Sequence, residues 1–418
     1  MNFHIETYGC TANFGNSEEA KATLIEYGHQ PSSLEDADIV IVNTCAVTAK
    51  TERKIKRRLQ ELDGDRLIVA GCIPASMPET IGQIGCLKRI GLLNKRSAKE
   101  IGGILKVPPD RKADLSAKTA QMSPVCRDVC AVVNISEGCN GGCTYCIVKK
   151  ARGKLVSRRM DEVIDTVEKM VRSGAAEVQL AAQDTAAYGN DIDTSLAELL
   201  DRITEIQGDF KVRIGMMNPD TALSIQKELI HSLKSPKIYR FLHMPVQSGS
   251  DEILKSMGRR YCASDFLEIV KDFRSVHPDI TLATDVITGF PGETEEDAKE
   301  TLELIALLQP DKVNVTRFSK RPGTAAAKLY DMPDRIKKER SREMTRLWME
   351  IAARRNERYV GEVLPVLVTE RGRDSTMKAR AKNYQGIVVK GNPNLGSFID
   401  VLVTASNPFF LSGQLLPY

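Results

Sequence analysis

The sequence lacks any long apolar run. No stretch reaches the roughly 18 consecutive apolar residues that a membrane-spanning helix requires, so no membrane span is predicted. The N-terminal segment 1–8 also lacks the basic region followed by an apolar region that marks a secretory signal peptide. We therefore expect a cytoplasmic protein. In that compartment the ten cysteines indicate metal or redox chemistry more than disulfides.

Acidic residues are scarce in three segments of an otherwise ordinary chain. Its 418 residues are 42% apolar and 27% charged, which is typical of a globular protein with two or three domains. The net charge is only +4, but six basic residues fall in each of the segments 50–58, 149–159 and 371–390. Each segment holds at most one acidic residue. One such run is usually a solvated surface, whereas three favour a nucleic acid partner.

Strand and helix patterns alternate through most of the chain. They predict an N-terminal parallel α/β sheet domain over 1–108 and, after a polar linker at 109–128, a second α/β domain over 129–359. The strands expected in the first domain lie at 3–8, 38–43, 66–70 and 89–93, with helices at 17–27 and 49–62. The six strands expected in the second domain predict an incomplete (β/α)6 barrel, and they lie at 131–135, 177–181, 211–216, 239–244, 281–287 and 312–318.

The last region, 360–418, changes to short strand patterns separated by Gly and Asn-Pro turns. About 58 residues of this kind predict a small all-β barrel. One of its strands carries Lys378, Arg380 and Lys382 beside Tyr384. That pattern is compatible with RNA contact and also with an exposed barrel face.

Three cysteines follow the first strand of the predicted central barrel with the spacing C-x3-C-x2-C. Cys139, Cys143 and Cys146 can bind three corners of a [4Fe–4S] cluster and leave one iron open for a substrate or cofactor. A structural zinc site is the alternative. Zinc needs four ligands and no His lies nearby, but Cys126 and Cys130 are close enough in sequence to complete such a site.

Three more cysteines each follow a predicted strand of the N-terminal sheet. Cys10, Cys45 and Cys72 should therefore lie on one rim, because the carboxyl ends of parallel strands share an edge of the sheet. A single cysteine at such a place is usually a small buried hydrophobe. Three in succession predict a second metal site, again with one iron left open.

Polar loops follow the later strands of the predicted barrel, on the face where catalytic residues of such barrels lie. Together with the three-cysteine loop they predict a cofactor pocket. These loops are Ala182-Gln-Asp-Thr-Ala-Ala-Tyr-Gly189, His243-Met-Pro-Val-Gln-Ser-Gly-Ser250, Asp285-Val-Ile-Thr-Gly-Phe-Pro-Gly-Glu-Thr294 and Phe318-Ser-Lys-Arg-Pro-Gly-Thr324.

The cysteine spacing at 139–146 resembles that of the radical S-adenosylmethionine enzymes. The N-terminal cysteines, with the loops 243–250 and 288–294, narrow the resemblance to the methylthiotransferases, and the C-terminal region resembles the RNA-binding TRAM module. The segments 43–54 and 146–153 look like the archaeal-eukaryotic branch that acts on N6-threonylcarbamoyladenosine (t6A) of tRNA. That resemblance implies addition of a methylthio group to C2 of t6A at position 37 of the anticodon loop.

The resemblance also implies the cofactors and partners. Cys139, Cys143 and Cys146 would bind the cluster that cleaves S-adenosylmethionine, and Cys10, Cys45 and Cys72 a second [4Fe–4S] cluster that holds sulfur. The enzyme would need tRNA, a reducing protein of the flavodoxin or ferredoxin type, and a sulfur source. Alternatives are the same chemistry on an isopentenyl-type tRNA adenosine or on an Asp of ribosomal protein S12, and, more remotely, a zinc-structured RNA-binding protein.

Two sets of residues are further candidates for binding. Gln183, Thr288 and Gly289 are candidates for contact with S-adenosylmethionine, although ordinary turn hydrogen bonds also explain such loop residues. The basic candidates for RNA contact are Lys149, Lys150, Arg152, Arg158 and Arg159 after the cluster loop, and Lys378, Arg380 and Lys382 in the C-terminal barrel.

Overall fold

The computed structural model describes residues 1–104 and 129–416. The predicted linker at 109–128 and Cys126 lie outside these ranges, so the predictions made for them stay predictions. No helix in the described ranges is both long enough and apolar enough to cross a membrane.

The N-terminal unit is a parallel five-stranded sheet between helices. Its central strands are buried on both faces, because their sequences IVIVNT and LIVAG are nearly all apolar. The strand order is β2-β1-β3-β4-β5, with every pairing parallel. The strands are β1 (Asn2–Thr7), β2 (Gln30–Pro31), β3 (Ile39–Thr44), β4 (Leu67–Gly71) and β5 (Lys88–Arg89), and the helices are α1 (Thr11–Glu26), α2 (Ala49–Glu61), α3 (Cys72–Ser76) and α4 (Lys95–Ile104).

The central unit is the predicted incomplete barrel of six parallel strands. It consists of two three-stranded halves, ordered β10-β9-β6 and β11-β12-β13, which a parallel bridge between Val212 and Ile238 connects. The barrel strands are β6 (Cys130–Asn134), β9 (Glu177–Ala181), β10 (Lys211–Ile214), β11 (Phe241–His243), β12 (Thr281–Thr288) and β13 (Lys312–Arg317). The short antiparallel strands β7 (Ser136–Glu137) and β8 (Val156–Ser157) flank the cysteine loop.

Helices cover the outer face of these strands. They bury the outward side chains in one core, which includes Val133, Val178, Leu180, Val212 and Leu282. Several side chains that alternate with them, such as those of Gln179, Arg213 and Asp285, point into the barrel and are only partly buried. The helices are α5 (Val148–Arg152), α6 (Met160–Arg172), α7 (Leu196–Glu205), α8 (Pro219–Leu223), α9 (Gln226–Ser232), α10 (Asp251–Ser256), α11 (Ala263–Val276), α12 (Glu295–Leu308) and α13 (Asp334–Glu357).

The C-terminal unit is a closed five-stranded barrel of order β14-β15-β16-β18-β17, which confirms the predicted small all-β barrel. It is docked against the amino ends of the central strands, where Lys382 Nζ lies 2.9 Å from a carboxylate oxygen of Asp279. Tyr384 packs there with Tyr239, Phe241 and Ala283. Its strands are β14 (Val363–Arg371), β15 (Thr376–Ala381), β16 (Gly386–Lys390), β17 (Phe398–Ser406) and β18 (Leu411–Leu415).

The predicted strands differ from the observed ones mainly at their ends. Of the candidate strand 89–93 only Arg89 lies in the sheet, paired as part of Lys88–Arg89, and the strand predicted at 239–244 is reduced to three residues. At the second of these places, Met244 and Val246 are buried but lie in the loop beyond the last paired residue. The apolar pattern continues through such loops because it reflects which side chains are buried and does not depend on strand pairing.

Candidate functional site

Cys139, Cys143 and Cys146 lie together on the loop between β7 and α5. The loop closes on itself, since Cys139 N–H donates to Gly153 O at 3.2 Å and Cys146 N–H donates to Cys143 O at 3.2 Å. A Cβ placed on Gly141 would lie 3.2 Å from the Cys139 sulfur and 3.8 Å from the Cys143 sulfur. The sulfurs of Cys139 and Cys143 therefore lie on the same side of the loop.

Burial raises the pKa values of two thiols in this first triad, those of Cys139 and Cys146. The pKa of Cys146 rises to about 11, and that of Cys139 also rises. The Gly141 N–H, 3.2 Å from the Cys139 sulfur, opposes that rise by stabilising the thiolate. The loop thus supplies sulfurs that a positively charged metal would hold as thiolates.

The structure brings Cys10, Cys45 and Cys72 to one rim of the N-terminal sheet, as predicted. Cys45 and Cys72 directly follow β3 and β4 and are buried, while Cys10 precedes α1 and is exposed. Gly9 makes this approach of the loops sterically feasible. It has φ +108°, and a Cβ there would lie 2.5 Å from the Cys45 Cβ and 2.7 Å from its sulfur.

Arg152 lies between the two triads, and the structure corrects the prediction that it contacts RNA. Its side chain is 3% exposed and donates to Glu137 Oε1 at 2.9 Å. It also donates to Asn13 Oδ1 at 2.5 Å and to Asn16 Oδ1 at 2.9 Å. Burial raises the pKa of Cys72, and the Arg152 charge opposes that rise. Helix α5 packs on α3, so Arg152 turns inward while its neighbours in the basic run face solvent.

Asn13 holds together the backbone segments that carry the second triad. Its side-chain amide donates to Tyr8 O at 2.7 Å and to Thr44 O at 3.0 Å, which connects the ends of β1 and β3. Its oxygen accepts from Arg152 and lies 4.0 Å from the Cys72 sulfur. This residue was not predicted from the sequence. The only signal was its place in the first turn of the helix after Cys10.

Arg259 is a second functional residue that the sequence analysis missed. It donates to Tyr145 Oη at 2.6 Å and to Asn218 Oδ1 at 2.6 Å. Tyr145 belongs to the first cysteine loop, and the Arg259 charge lowers the pKa of Cys139 and Cys146 against the larger effect of burial. Arg260 follows it directly, so sequence alone could not tell which of the two arginines is buried.

The residues present fit iron–sulfur clusters better than a single zinc ion. Within residues 1–104 and 129–416, no three His, Cys, Asp or Glu side chains are grouped closely enough to hold one metal ion. Cys130 cannot supply a fourth ligand to the first triad. It lies at the other end of β6, about 13 Å from Asn134 at the rise of a β-strand. A set of three cysteines matches a cluster that keeps one iron open.

A buried donor beside the first triad fits an anionic cofactor. The Arg259 Nε–H is enclosed and has no hydrogen-bond partner among the described residues. An unsatisfied buried donor of a charged group is costly, and a carboxylate would satisfy it. The donor set therefore fits the amino acid part of S-adenosylmethionine.

The three residues predicted to contact S-adenosylmethionine lie in different surroundings. Gln183 Oε1 accepts from Gly138 N–H at 2.6 Å, so this side chain holds the cysteine loop. The Thr288 hydroxyl is buried and lines a small cavity with Glu293 and Arg340, outside the barrel interior. Gly289 has φ +72° and donates to Glu293 Oε2 at 2.6 Å. The Thr288 side chain thus faces away from the predicted pocket, because alternate residues of β12 point to opposite faces.

The basic run after the first triad is only partly available to RNA. Lys149, Lys150 and Arg159 are exposed, and Lys149 Nζ donates to Gly141 O at 3.3 Å on the cysteine loop. Arg158 is partly buried and donates to Asn134 O at 3.2 Å and to Thr166 Oγ1 at 3.3 Å. The exposed cations therefore lie at the mouth of the cluster loop.

The basic side chains at 378–382 of the C-terminal barrel point in two directions. Lys378 is exposed and pairs with Glu370 at 2.8 Å. Lys382 pairs with Asp279 of the central unit, and the Arg380 guanidinium lies 4.7 Å from the centre of the Tyr384 ring. Lys382 thus contacts the central unit, which the sequence pattern did not predict, whereas Arg380 lies against an aromatic ring of its own barrel.

The families and relatives that this chain matches agree with this arrangement. Residues 133–305 match the radical SAM superfamily, 2–88 match the uncharacterised family UPF0004, and 357–416 match the TRAM domain. The chain is 41% identical to a probable threonylcarbamoyladenosine tRNA methylthiotransferase of Pyrococcus horikoshii over 99% of both chains. It is 33% identical to the threonylcarbamoyladenosine tRNA methylthiotransferase of Drosophila melanogaster, over 99% of this chain and 77% of that one.

Among solved structures, the fold is similar to that of a radical S-adenosylmethionine methyltransferase, TsrM of Kitasatospora setae, with cobalamin and a [4Fe–4S] cluster bound. The TM-score is 0.57 at 13% identity, covering 78% of this chain and 74% of that one. This likeness shows the fold alone. The relatives of much higher identity decide the family: the chain belongs to the radical S-adenosylmethionine enzymes, in the family of the threonylcarbamoyladenosine tRNA methylthiotransferases of archaea and animals.

Proposed function

We propose that this enzyme converts t6A at position 37 of tRNA to 2-methylthio-t6A. One observation carries the proposal. Two separate cysteine triads lie at the facing edges of two α/β units, and Arg152 bridges the units that hold them. One triad alone would suit many radical enzymes. The second provides a place where sulfur can be held close to the radical site.

In this proposal each triad holds one [4Fe–4S] cluster. Cys139, Cys143 and Cys146 would hold the first, which supplies reductive cleavage of S-adenosylmethionine, and Cys10, Cys45 and Cys72 would hold the sulfur-carrying second cluster. Arg259, whose buried Nε–H has no partner within the described parts of the chain, would receive the carboxylate of the methionine moiety. The low-potential reductant and the sulfur source come from outside the chain.

Two contacts between the N-terminal and central units hold the two cysteine triads in a fixed relative position. Arg321 on the loop after β13 is 4% exposed and pairs with Glu52 of α2 at 2.7 Å. Asn13 and Arg152 make the second connection between the same two units. Both contacts are buried or partly buried, so they resist relative movement better than surface ion pairs do.

The RNA would approach from the side of the exposed cations. Lys149, Lys150 and Arg159 lie beside the first cluster loop and offer phosphate contacts. A base paired or stacked in an anticodon loop cannot reach a loop enclosed between two domains, so the adenine would have to be unstacked into the site. Lys378 is a further exposed cation on the C-terminal barrel, where it pairs with Glu370.

Nucleoside analysis tests the function directly. A host that makes t6A but lacks the methylthio modification is given the gene, and its tRNA is digested and examined by mass spectrometry. We expect 2-methylthio-t6A with the wild-type chain and none with Cys45→Ala or Cys143→Ala. Cys86→Ala is the matched control, because this cysteine belongs to neither triad. An unchanged nucleoside profile with the wild-type chain would refute the proposal that t6A is the substrate.

Iron content tests the two-cluster count. After anaerobic reconstitution we expect about eight irons per chain for the wild type and about four for the triple alanine variant of either triad. Cys45→Ala should stop methylthio transfer and leave reductive cleavage of S-adenosylmethionine intact. Loss of both activities in a variant that keeps the first cluster would contradict this division of roles.

A further inference from the structure

The inward face of the central barrel carries polar side chains that are only partly buried, and they line a space that we call the chamber. Outward side chains of the strands are buried in the core, whereas Val132, Gln179, Arg213, His243 and Asp285 point inward and stay partly exposed. The chamber lies directly below the carboxyl ends of the strands, where the first cysteine loop begins. A substrate group held at those ends can therefore extend into it.

Three cations meet in the lower part of this chamber. The Arg213 guanidinium lies 5.3 Å from the Phe241 ring centre and 5.5 Å from that of Tyr384. The Arg380 guanidinium, which comes from the C-terminal barrel, lies 4.7 Å from the same Tyr384 ring. Partial burial, and then the positive charges of Arg380 and Arg213, lower the pKa of Lys312. The three charges therefore repel one another, and water screens part of this repulsion because Lys312 is exposed at the start of β13.

These cations have no acidic partner in the parts of the chain that the structure describes. Neither Arg213, Lys312 nor Arg380 forms an ion pair there, and the Arg213 Nε–H is buried without a hydrogen-bond partner. The acids nearby are engaged elsewhere. Asp285 accepts from Asn314 at 2.6 Å and lies 2.9 Å from His243 Nε2, while Glu177 accepts from Gln179 and Tyr239.

Stacking on aromatic rings leaves the edges of a guanidinium free. An arginine held this way presents its N–H groups in one plane, which matches the two oxygens of a carboxylate. Arg213 lies two residues, about 7 Å, below Gly215 at the end of β10. That depth suits a short side chain on a base held at the strand ends. The RNA backbone cannot reach it, because Tyr384 and its neighbours close the lower end.

We propose that Arg213, Lys312 and Arg380 form an anion subsite that binds the carboxylate on the N6 side chain of the substrate adenosine. This inference rests on the proposed function, because t6A carries a threonyl carboxylate there and an isopentenyl adenosine does not. It gives the C-terminal barrel a part in substrate choice through Arg380, besides any contact with RNA.

The test compares the affinities of three anticodon stem-loop RNAs that differ only at the target base: unmodified adenosine, t6A and the methyl ester of t6A. The ester keeps the size of the side chain and removes its charge. The wild type should bind t6A about 10- to 100-fold more tightly than the ester, the range expected for a charge-assisted pair of hydrogen bonds. Equal affinity for t6A and its ester would overturn the proposal without any mutagenesis.

Variants then locate the subsite. Arg213→Gln should remove the preference for t6A over the ester and leave the affinity for the unmodified RNA unchanged. Arg172→Gln, an exposed arginine on α6, is the matched control and should preserve the preference. An equal loss for all three RNAs would overturn the proposal. So would weaker binding of S-adenosylmethionine with the preference retained, because the cation would then serve the cofactor.

The subsite and the proposed function can fail separately. An enzyme that forms 2-methylthio-t6A but binds the ester as tightly as t6A has the proposed function without this subsite. An enzyme that forms no methylthio product from t6A lacks the proposed function, whatever its affinities for the three RNAs.

Discussion

The ion pair between Glu52 and Arg321 connects the N-terminal and central units, and its two members should respond unequally to mutation. Arg321 is 4% exposed and its partner is 2.7 Å away, so Glu52→Ala leaves a buried guanidinium without a counter-charge. Leaving a buried charge unpaired costs about 3–5 kcal/mol. Arg321→Met should cost less, about 1 kcal/mol, because Glu52 keeps Lys56 at 3.1 Å and some contact with water.

Thermal denaturation of the apoprotein, followed by circular dichroism, measures this asymmetry. We expect a clearly lower midpoint for Glu52→Ala than for Arg321→Met, with the double variant close to Arg321→Met, since removing the arginine also removes its unpaired charge. Glu61→Ala on the same helix is the control, because its pair with Arg57 is exposed and contributes little. A Glu52→Ala midpoint at or above that of Arg321→Met would refute the reasoning that the buried guanidinium dominates.

Three further outcomes are expected. Gly9→Ala should reduce the iron content after reconstitution to about half of the wild-type value. Gly9 has φ +108°, and an added methyl group would lie 2.5 Å from the Cys45 Cβ, so there is no room for it. Gly91→Ala is the control and should keep the full iron content, because the space around Gly91 is open. The hydrogen bond from Arg58 lowers the pKa of Glu6 below its ordinary 4.5, so the stability that this carboxylate contributes is complete above that pH and is lost as the pH falls through the lowered pKa. The difference in melting temperature between the wild type and Glu6→Gln should therefore be constant near neutral pH and vanish in acid. Arg259→Gln should weaken S-adenosylmethionine binding about 10-fold by equilibrium dialysis, with the iron content retained; unchanged affinity would remove Arg259 from the cofactor site.

The periodicity and the turn signals of the sequence were sufficient for the architecture. Alternating strands and helices predicted both α/β units, and short strands separated by Gly and Pro predicted the closed C-terminal barrel. The rim position of Cys10, Cys45 and Cys72 was also predictable, because parallel strands place their carboxyl ends on one edge. These features depend on local chain geometry, which the sequence expresses directly.

The surroundings of the sites were not predictable in this way. The basic run 149–159 has one charge pattern, but α5 packs on the N-terminal unit with one face, so Arg152 is buried while Lys149 and Lys150 are exposed. Likewise Thr288 belongs to a polar loop motif, but the alternation of β12 turns its hydroxyl away from the chamber. A run of like residues does not show which of them will meet another element.

The sequence by itself therefore determined the three-part architecture, the two cysteine triads and the family. All of these follow from the spacing of the cysteines and the periodicity of apolar residues along the chain. Only the tertiary structure decided that Arg152, Asn13 and Arg259 surround the triads, and that Arg213 of the central barrel lies against the same Tyr384 ring of the C-terminal barrel as Arg380. Such contacts join residues more than a hundred positions apart, and they depend on how finished elements pack, which no local pattern records.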